Sequence, residues 1–337
     1  MAAALRNNRV GRGSSGFSQR DARAVLTRSQ QSASVTQPSV DVLFGNLNVA
    51  YNDHKQAPPS MKFQFSAGIL ECMQDLKNAG AAPKWGAATE SLSRRNVFQG
   101  ELRQVGIKNP DRIAVPSVRN DAAFLATVTV STSLLAVIAG AVLPGDWGFF
   151  TSYLVGGITL GVLAVGSTAP GLLQFAIDKF SQVFPDYRER VVRHEAAHLL
   201  LGYLMGVPVT GYGLDIGQEH TEFAEAKIQK RLIERMLEDS EIDQLAVVAV
   251  AGIAAEGQKY EEVMGQNADL FDLQRILLRA KNKMSDGQQQ NMTRWAVFTA
   301  GSLLRQYKKE HEALVEAMSR GAPVIECVKA IEDVKTT

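Results

Sequence analysis

Two histidines four residues apart, the first followed directly by a glutamate, occur in Arg193-His194-Glu195-Ala196-Ala197-His198. On a helix, positions four apart share a face, so His194 and His198 present their imidazoles to one point. Glu195 sits one step round, within reach of a water held there. The pattern is HExxH: two neutral imidazoles for a zinc ion, and a carboxylate that takes a proton from water and passes it to a leaving amine. An amphipathic helix with two core histidines and a surface glutamate has the same spacing, so context has to separate the two.

A catalytic zinc site needs a third protein ligand and an open position. His54 and His311 lie in unrelated polar contexts, which leaves His220, Glu256, Asp269 and Asp272 as candidates. An aspartate just after a loop, at a helix N-terminus, can be folded against the histidine-bearing helix; Gly265-Gln266-Asn267-Ala268-Asp269-Leu270 supplies that setting. Glu256 ends an apolar run, where a charge is costly unless paired, and a metal-bound imidazole is a natural partner.

The elements that must position these residues follow from hydropathy. Ala122 to Leu143 holds no charge over 22 residues, and Trp147 to Ile177 none over 31, with Pro144-Gly145-Asp146 between them. Each run exceeds the roughly 20 residues needed to cross a bilayer, so residues 121–177 read as a transmembrane helical hairpin, the second span ending near Pro170-Gly171. Arg112 and Arg119 precede it, Lys179, Arg188, Arg190 and Arg193 follow, and the turn offers only Asp146. The positive-inside tendency places both flanks on the cytosol-like face.

Residues 178–337 read as an almost wholly helical domain. Pro185-Asp186 starts the HExxH helix and Gly206 ends it. Val207 to Ile216 suits one short strand, Thr221 to Glu238 a charged amphipathic helix, and Leu245 to Ala255 one helix apolar all round. Helices are also expected over Asp269–Met284, Asn291–Tyr307, Glu310–Met318 and Val324–Val334. Residues 41–120 form a small helical or irregular region without evident chemistry, with helices over Ser60–Asn78 and Ser91–Val105. Residues 1–40 carry Arg6, Arg9, Arg12, Arg20, Arg23 and Arg28 against the single acid Asp21, and this Arg- and Ser-rich composition reads as an organelle transit peptide. A formal net charge of +1 gives no footprint for nucleic acid, and Cys72 and Cys327, far apart, exclude both a disulfide framework and a cysteine zinc site. No Walker-type glycine loop occurs.

The last domain resembles the peptidase domain of the FtsH membrane metalloproteases. Three segments carry the likeness: His194 to His198, Gly252-Ile253-Ala254-Ala255-Glu256-Gly257, and Gly265 to Leu270. It spans residues 120–337. The resemblance implies zinc held by His194, His198 and Asp269, with Glu195 catalytic; an alignment on Asp272-Leu273-Gln274-Arg275 leaves Asp272 open as the acidic ligand. Ala197 stands where the family has glycine, and Ile253 where it has arginine. Only 16 residues separate Ile177 from His194, too few for the family's ATPase module, so the chain looks like the ATPase-less FtsH-like peptidases of plants and algae.

The expectation is therefore a mainly α protein: a two-helix transmembrane hairpin followed by an all-helical zinc metallopeptidase domain. It would cleave exposed or unfolded protein segments at a chloroplast membrane, thylakoid or inner envelope, facing the stroma; the alternative is the mitochondrial inner membrane. Its partners would be protein substrates, membrane lipid, and an oligomer or a separate unfoldase. The alternative function is a non-catalytic scaffold or regulatory subunit of a plastid membrane complex. An intramembrane protease is disfavoured, because Arg190, Arg193 and Glu195 suit a lipid-embedded helix poorly.

Overall fold

The computed structural model describes residues 38–58, 61–115, 117–214, 220–223 and 237–335. The leader expected over residues 1–40 therefore lies outside the described residues up to 37, and the amphipathic helix expected over Thr221–Glu238 lies outside them from 224 to 236. Among the described residues the chain is mainly helical, with twelve α-helices and one two-stranded antiparallel sheet.

Helices α1 (Val40–Gln56) and α2 (Lys62–Asn78) precede two short 3-10 turns, Thr89–Ser91 and Gln99–Val105. The α-helix expected over Ser91–Val105 does not form. Tertiary partners take its backbone groups: Trp295 Nε1 donates to the Ser93 carbonyl at 2.9 Å, Asn291 Oδ1 accepts the Val97 N–H at 3.0 Å, and Arg294 Nε donates to the Val97 carbonyl at 2.8 Å. With those groups satisfied from outside, no local helical ladder is required.

The uncharged runs become α3 (Arg119–Val142) and α4 (Asp146–Thr168), both long and apolar enough to cross a membrane. Only 6% of each apolar window is buried against the rest of the described residues. Gly145, at φ 57°, makes the turn in the left-handed region that favours glycine. Across the pair, the Thr132 and Thr159 hydroxyls meet at 2.8 Å, and Ser152 Oγ donates to the Ala136 carbonyl at 2.6 Å. Such small polar contacts suit helix pairing in lipid. Pro170 then opens α5 (Pro170–Ser181), as the Pro-Gly pair suggests.

The protein core is built around α6 (Tyr187–Leu204), buried from Val192 to Leu204. Gly206, at φ 70°, ends it. After α6 come β1 (Val209–Gly213) and β2 (His220–Phe223), paired from Val209↔Phe223 to Gly213↔His220, so the domain is not all helical. The apolar run expected as one helix breaks at Val250 into α7 (Asp239–Ala249) and α8 (Ala251–Lys259). Helices α9 (Gln266–Leu277), α10 (Asp286–Gln306), α11 (Lys308–Ser319) and α12 (Val324–Glu332) complete the packing. One hydrophobic cluster runs from Leu43 to Ile331 and includes Leu102, Val105, Ile107 and Ile113 from the first region. That region thus shares its core with the domain beyond the hairpin.

Candidate metal centre

One turn of α6 separates His194 from His198, and their Nε2 atoms stand 3.1 Å apart. Asp269, in the first turn of α9, brings Oδ1 to 3.3 Å from His194 Nε2 and 3.2 Å from His198 Nε2. Among the described residues this is the group of His, Cys, Asp and Glu side chains that could hold a metal ion. All three are nearly buried.

Hydrogen bonds on the far side of each ring fix what the three atoms offer. His198 Nδ1 stands 2.8 Å from the carbonyl of Val248, which can only accept, so Nδ1 carries the proton. His194 Nδ1 donates to Glu256 Oε1 at 2.8 Å. In neutral imidazoles both Nε2 atoms are then bare, and two nitrogen lone pairs converge with a carboxylate oxygen. Three acceptors facing one point could hold a metal ion. The break at Val250 contributes directly, because it puts Val248 in the last turn of α7, where its carbonyl takes the Val250 N–H and meets the His198 ring.

The spacing fits a tetrahedral metal. Zinc bonds of 2.0–2.1 Å place neighbouring ligand atoms about 3.3 Å apart, beside the 3.1, 3.2 and 3.3 Å found here. Electrostatics agrees. Burial opposes charge on each group, yet the two imidazoles hold the Asp269 carboxyl well below its ordinary range, and Asp269 raises both histidines, helped at His194 by Glu256. The centre calls for positive charge between these atoms, and the two-nitrogen, one-oxygen set suits a divalent transition metal.

A second layer holds the ligands still. Glu256, on α8, also accepts the backbone N–H of Met264 at 3.0 Å and of Gly265 at 3.2 Å, with Arg190 Nη1 at 3.6 Å. Asp269 Oδ2 accepts the Ile253 N–H at 3.3 Å. Two glycines give the ring its room: a Cβ at Gly252 would stand 2.2 Å from His194 Nε2, and one at Gly265 2.4 Å from His194 Cε1. From α11, His311 Nε2 donates to the Arg193 carbonyl at 3.0 Å and Glu312 clasps the Arg193 guanidinium at 2.7 and 3.0 Å, pinning the middle of α6.

Compared with family models, curated protein sequences and solved structures, the chain has no match. Its site therefore has to be read from its own residues.

Glu195 is buried beside His194, and Thr221 Oγ1 donates to its Oε2 at 2.8 Å. Thr221 reaches it from β2, and no spacing in the sequence singles that residue out; only the pairing of β2 with β1 brings it there. The other candidate ligands stand apart. His220 is exposed and pairs with Glu222 at 3.2 Å. Asp272, one turn past Asp269, is exposed and pairs with Arg275 at 2.9 Å. Glu256 orients His194 from behind and does not join the triad. Glu195 and the triad line a cleft of about 990 Å³.

Proposed function

We propose that this chain is a membrane-anchored zinc metalloendopeptidase, related in its chemistry to the FtsH peptidase domain, that hydrolyses exposed or unfolded protein segments without ATP of its own. The observation carrying the reading is the convergence of His194 Nε2, His198 Nε2 and Asp269 Oδ1 with proton positions fixed by Glu256 and Val248, in a cleft that also holds Glu195. A purely structural metal site has no use for Glu195. The anchor is the α3–α4 hairpin. A core shared between residues on either side of it keeps both flanks on one face, and the cations beside the hairpin favour the stroma or matrix for that face. The arginine-rich, acid-poor leader suits an organelle, and its serine content favours a plastid membrane, thylakoid or inner envelope.

Zinc, when bound, supplies the Lewis acidity that makes water nucleophilic at neutral pH. The chain's own residues do the rest. Glu256 and the Val248 carbonyl hold the two imidazoles in the ligating tautomer. Thr221 fixes the Glu195 carboxylate, which takes the proton from the attacking water and delivers it to the departing amide nitrogen. The cleft of about 990 Å³ has room for an extended segment and not for a folded domain, so a folded substrate has to be opened by another protein first.

The full-length protein, purified in detergent, should contain one zinc per chain and cut an unstructured casein-type substrate at a rate unchanged by omitting ATP. Glu195→Gln should retain the metal and lose roughly 10²–10⁴-fold in hydrolysis, the usual contribution of a general base. Hydrolysis by the Gln variant at the wild-type rate would remove the peptidase reading and put a scaffold or regulatory subunit in its place.

A further inference from the structure

Charge is unevenly spread along the cleft. Helix α9 runs beside it with one stripe turned inward: Asp269, Asp272, Ile276 and Arg279, three and four apart as one helix face requires, all line it. Asp269 starts the stripe at the metal centre and Arg279 ends it. The helical turn carries on that far, since the Arg279 N–H donates to the Ile276 carbonyl at 2.9 Å. From Asp269 to Arg279 at 1.5 Å per residue is about 15 Å along the axis. Between them, Asp272 and Arg275 neutralise each other at 2.9 Å. The Arg279 guanidinium is half-buried and has no hydrogen bond or ion pair among the described residues.

The other end of the cleft carries the opposite sign. Gln266 Nε2 donates to the Val115 carbonyl at 2.6 Å, so α9 begins beside the segment that leads into α3. Asn120 Nδ2 donates to Ser181 Oγ at 2.7 Å, which brings Asp121 and, one turn before Ser181, Asp178 to that end. Both line the cleft. Asp178 accepts Gln174 Nε2–H at 2.9 Å, a neutral donor that leaves its charge in place. The cations nearby are engaged elsewhere: Arg119 clasps Asp186 at 3.1 and 3.0 Å, and Arg190 donates to Asp186 and to the Glu262 carbonyl, each at 2.9 Å. The cleft is thus negative beside the hairpin and positive beyond the centre.

We propose that Arg279 determines which segments are cut, by taking an acidic side chain four or five residues from the scissile bond. This rests on the peptidase reading above and names what its cleft selects. An extended chain advances about 3.3 Å per residue, so about 15 Å is four or five residues. A strand occupies about 4.8 by 10 Å in section, so a cleft of about 990 Å³ holds about 20 Å of extended chain, or about six residues. Most of these lie between the centre and Arg279, and one or two lie on the hairpin side. A guanidinium fork meets a carboxylate with two parallel N–H···O bonds, and a half-buried pair is screened less than one in open water. Asp121 and Asp178 repel the same carboxylate at the other end, so an acid is accepted on one side of the cut and refused on the other. A cation at the end of α9 also suits the helix dipole, but that role is blind to the substrate.

The test uses the full-length protein in detergent and an uncharged peptide whose cut is located by mass spectrometry. Glu, Gln or Lys is then placed four or five positions to either side of that bond. On one side kcat/KM should fall in the order Glu, Gln, Lys, with about threefold or more between Glu and Gln at low salt. The difference should shrink at about 1 M salt, where the screening length is about 3 Å. Arg279→Glu should reverse the order, and Arg279→Gln should bring the three rates together; a residue serving only the end of α9 would change all three peptides alike. Equal rates in the wild type, or the wild-type order surviving in Arg279→Glu, would overturn the proposal and leave the peptidase reading standing. Failure of the wild type to cut any peptide, or a casein-type substrate, faster than Glu195→Gln does would overturn both.

Discussion

Glu256→Gln separates metal affinity from fold stability. In the structure the carboxylate accepts the His194 Nδ1–H at 2.8 Å, the Met264 N–H at 3.0 Å and the Gly265 N–H at 3.2 Å, with Arg190 Nη1 at 3.6 Å. A glutamine keeps one oxygen. If that oxygen stays on His194, the new NH2 faces the Met264 N–H and the Arg190 guanidinium, donor against donor. The part-buried Met264 N–H left unpaired costs about 1–3 kcal/mol at most, but with and without metal alike, so it lowers stability and not affinity. Affinity falls through the His194 contact, where a charge-assisted bond becomes a neutral one and the ring loses basicity. Outer partners of this kind are worth about 10- to 100-fold in metal binding, or about 1.4–2.7 kcal/mol. If instead the NH2 turns to His194, Nδ1 must accept and the proton moves to Nε2, where the metal would bind, so the loss is larger. Competition against a chelating dye, with circular dichroism to follow helix content, measures this on the full-length protein. Asp272→Asn, on an exposed side chain one turn away, serves as the control and should bind metal as the wild type does. A Glu256→Gln affinity within about twofold of wild type would refute the assignment of Glu256 as the group that orients His194.

Three further outcomes are expected. Gly252→Ala drives a Cβ into His194 Nε2, so the ring has to retreat by more than about 1 Å to reach ordinary contact; metal content should fall while helical dichroism persists. Thr221→Val removes the hydroxyl that donates to Glu195 Oε2 at 2.8 Å; metal content should hold and kcat should drop about tenfold with KM little changed, the effect of one lost hydrogen bond to a charged group. Burial pushes the His311 imidazole down to about 4. The unfolded chain takes up this proton near pH 6.5 and the folded chain only near 4, so stability from this group is complete above 6.5 and falls by about 3 kcal/mol as pH drops through that window. His311→Gln, which keeps an N–H for the Arg193 carbonyl, should flatten the fall in thermal midpoint between pH 6.5 and 4, and an unchanged slope would count against the buried neutral imidazole.

The parts of this fold that were readable in advance are those governed by local rules. A four-residue histidine spacing already fixes a shared helix face, and two uncharged runs around Pro144-Gly145 already describe a hairpin. Asp269 was not derivable from spacing, since 71 positions separate it from His198 and only the resemblance of its segment favoured it over Asp272. What the structure adds is direction: Asp269 points to the imidazoles, Asp272 to Arg275. Thr221 left no trace, because its role depends on a register between two short strands. The turns at residues 89–105 defeated periodicity for a similar reason. Val97, Leu102 and Val105 are buried as a helix face would be, but side chains of α10 supply the bonds that a helix would have made for itself. The break at Val250 was invisible too, within a run of residues that are all apolar.

The single core running from Leu43 to Ile331 sets an order on how the protein can be made. Whether the chain emerges from a ribosome or threads N-terminus first through an import channel, residues 43–113 arrive well before the helices that cover them. At about 5–20 residues per second, the 218 residues between Ile113 and Ile331 represent a wait of roughly 10–40 s. For much of that time Ile107 and Ile113 lack Gly257 and Val105 lacks Gly301, and in the membrane-anchored reading the two apolar helices enter the bilayer before those partners appear. Early assembly therefore depends on whatever shields the first region, a chaperone or the membrane surface itself. A lesion in that region would reduce the amount of protein that accumulates without touching the chemistry of the molecules that mature.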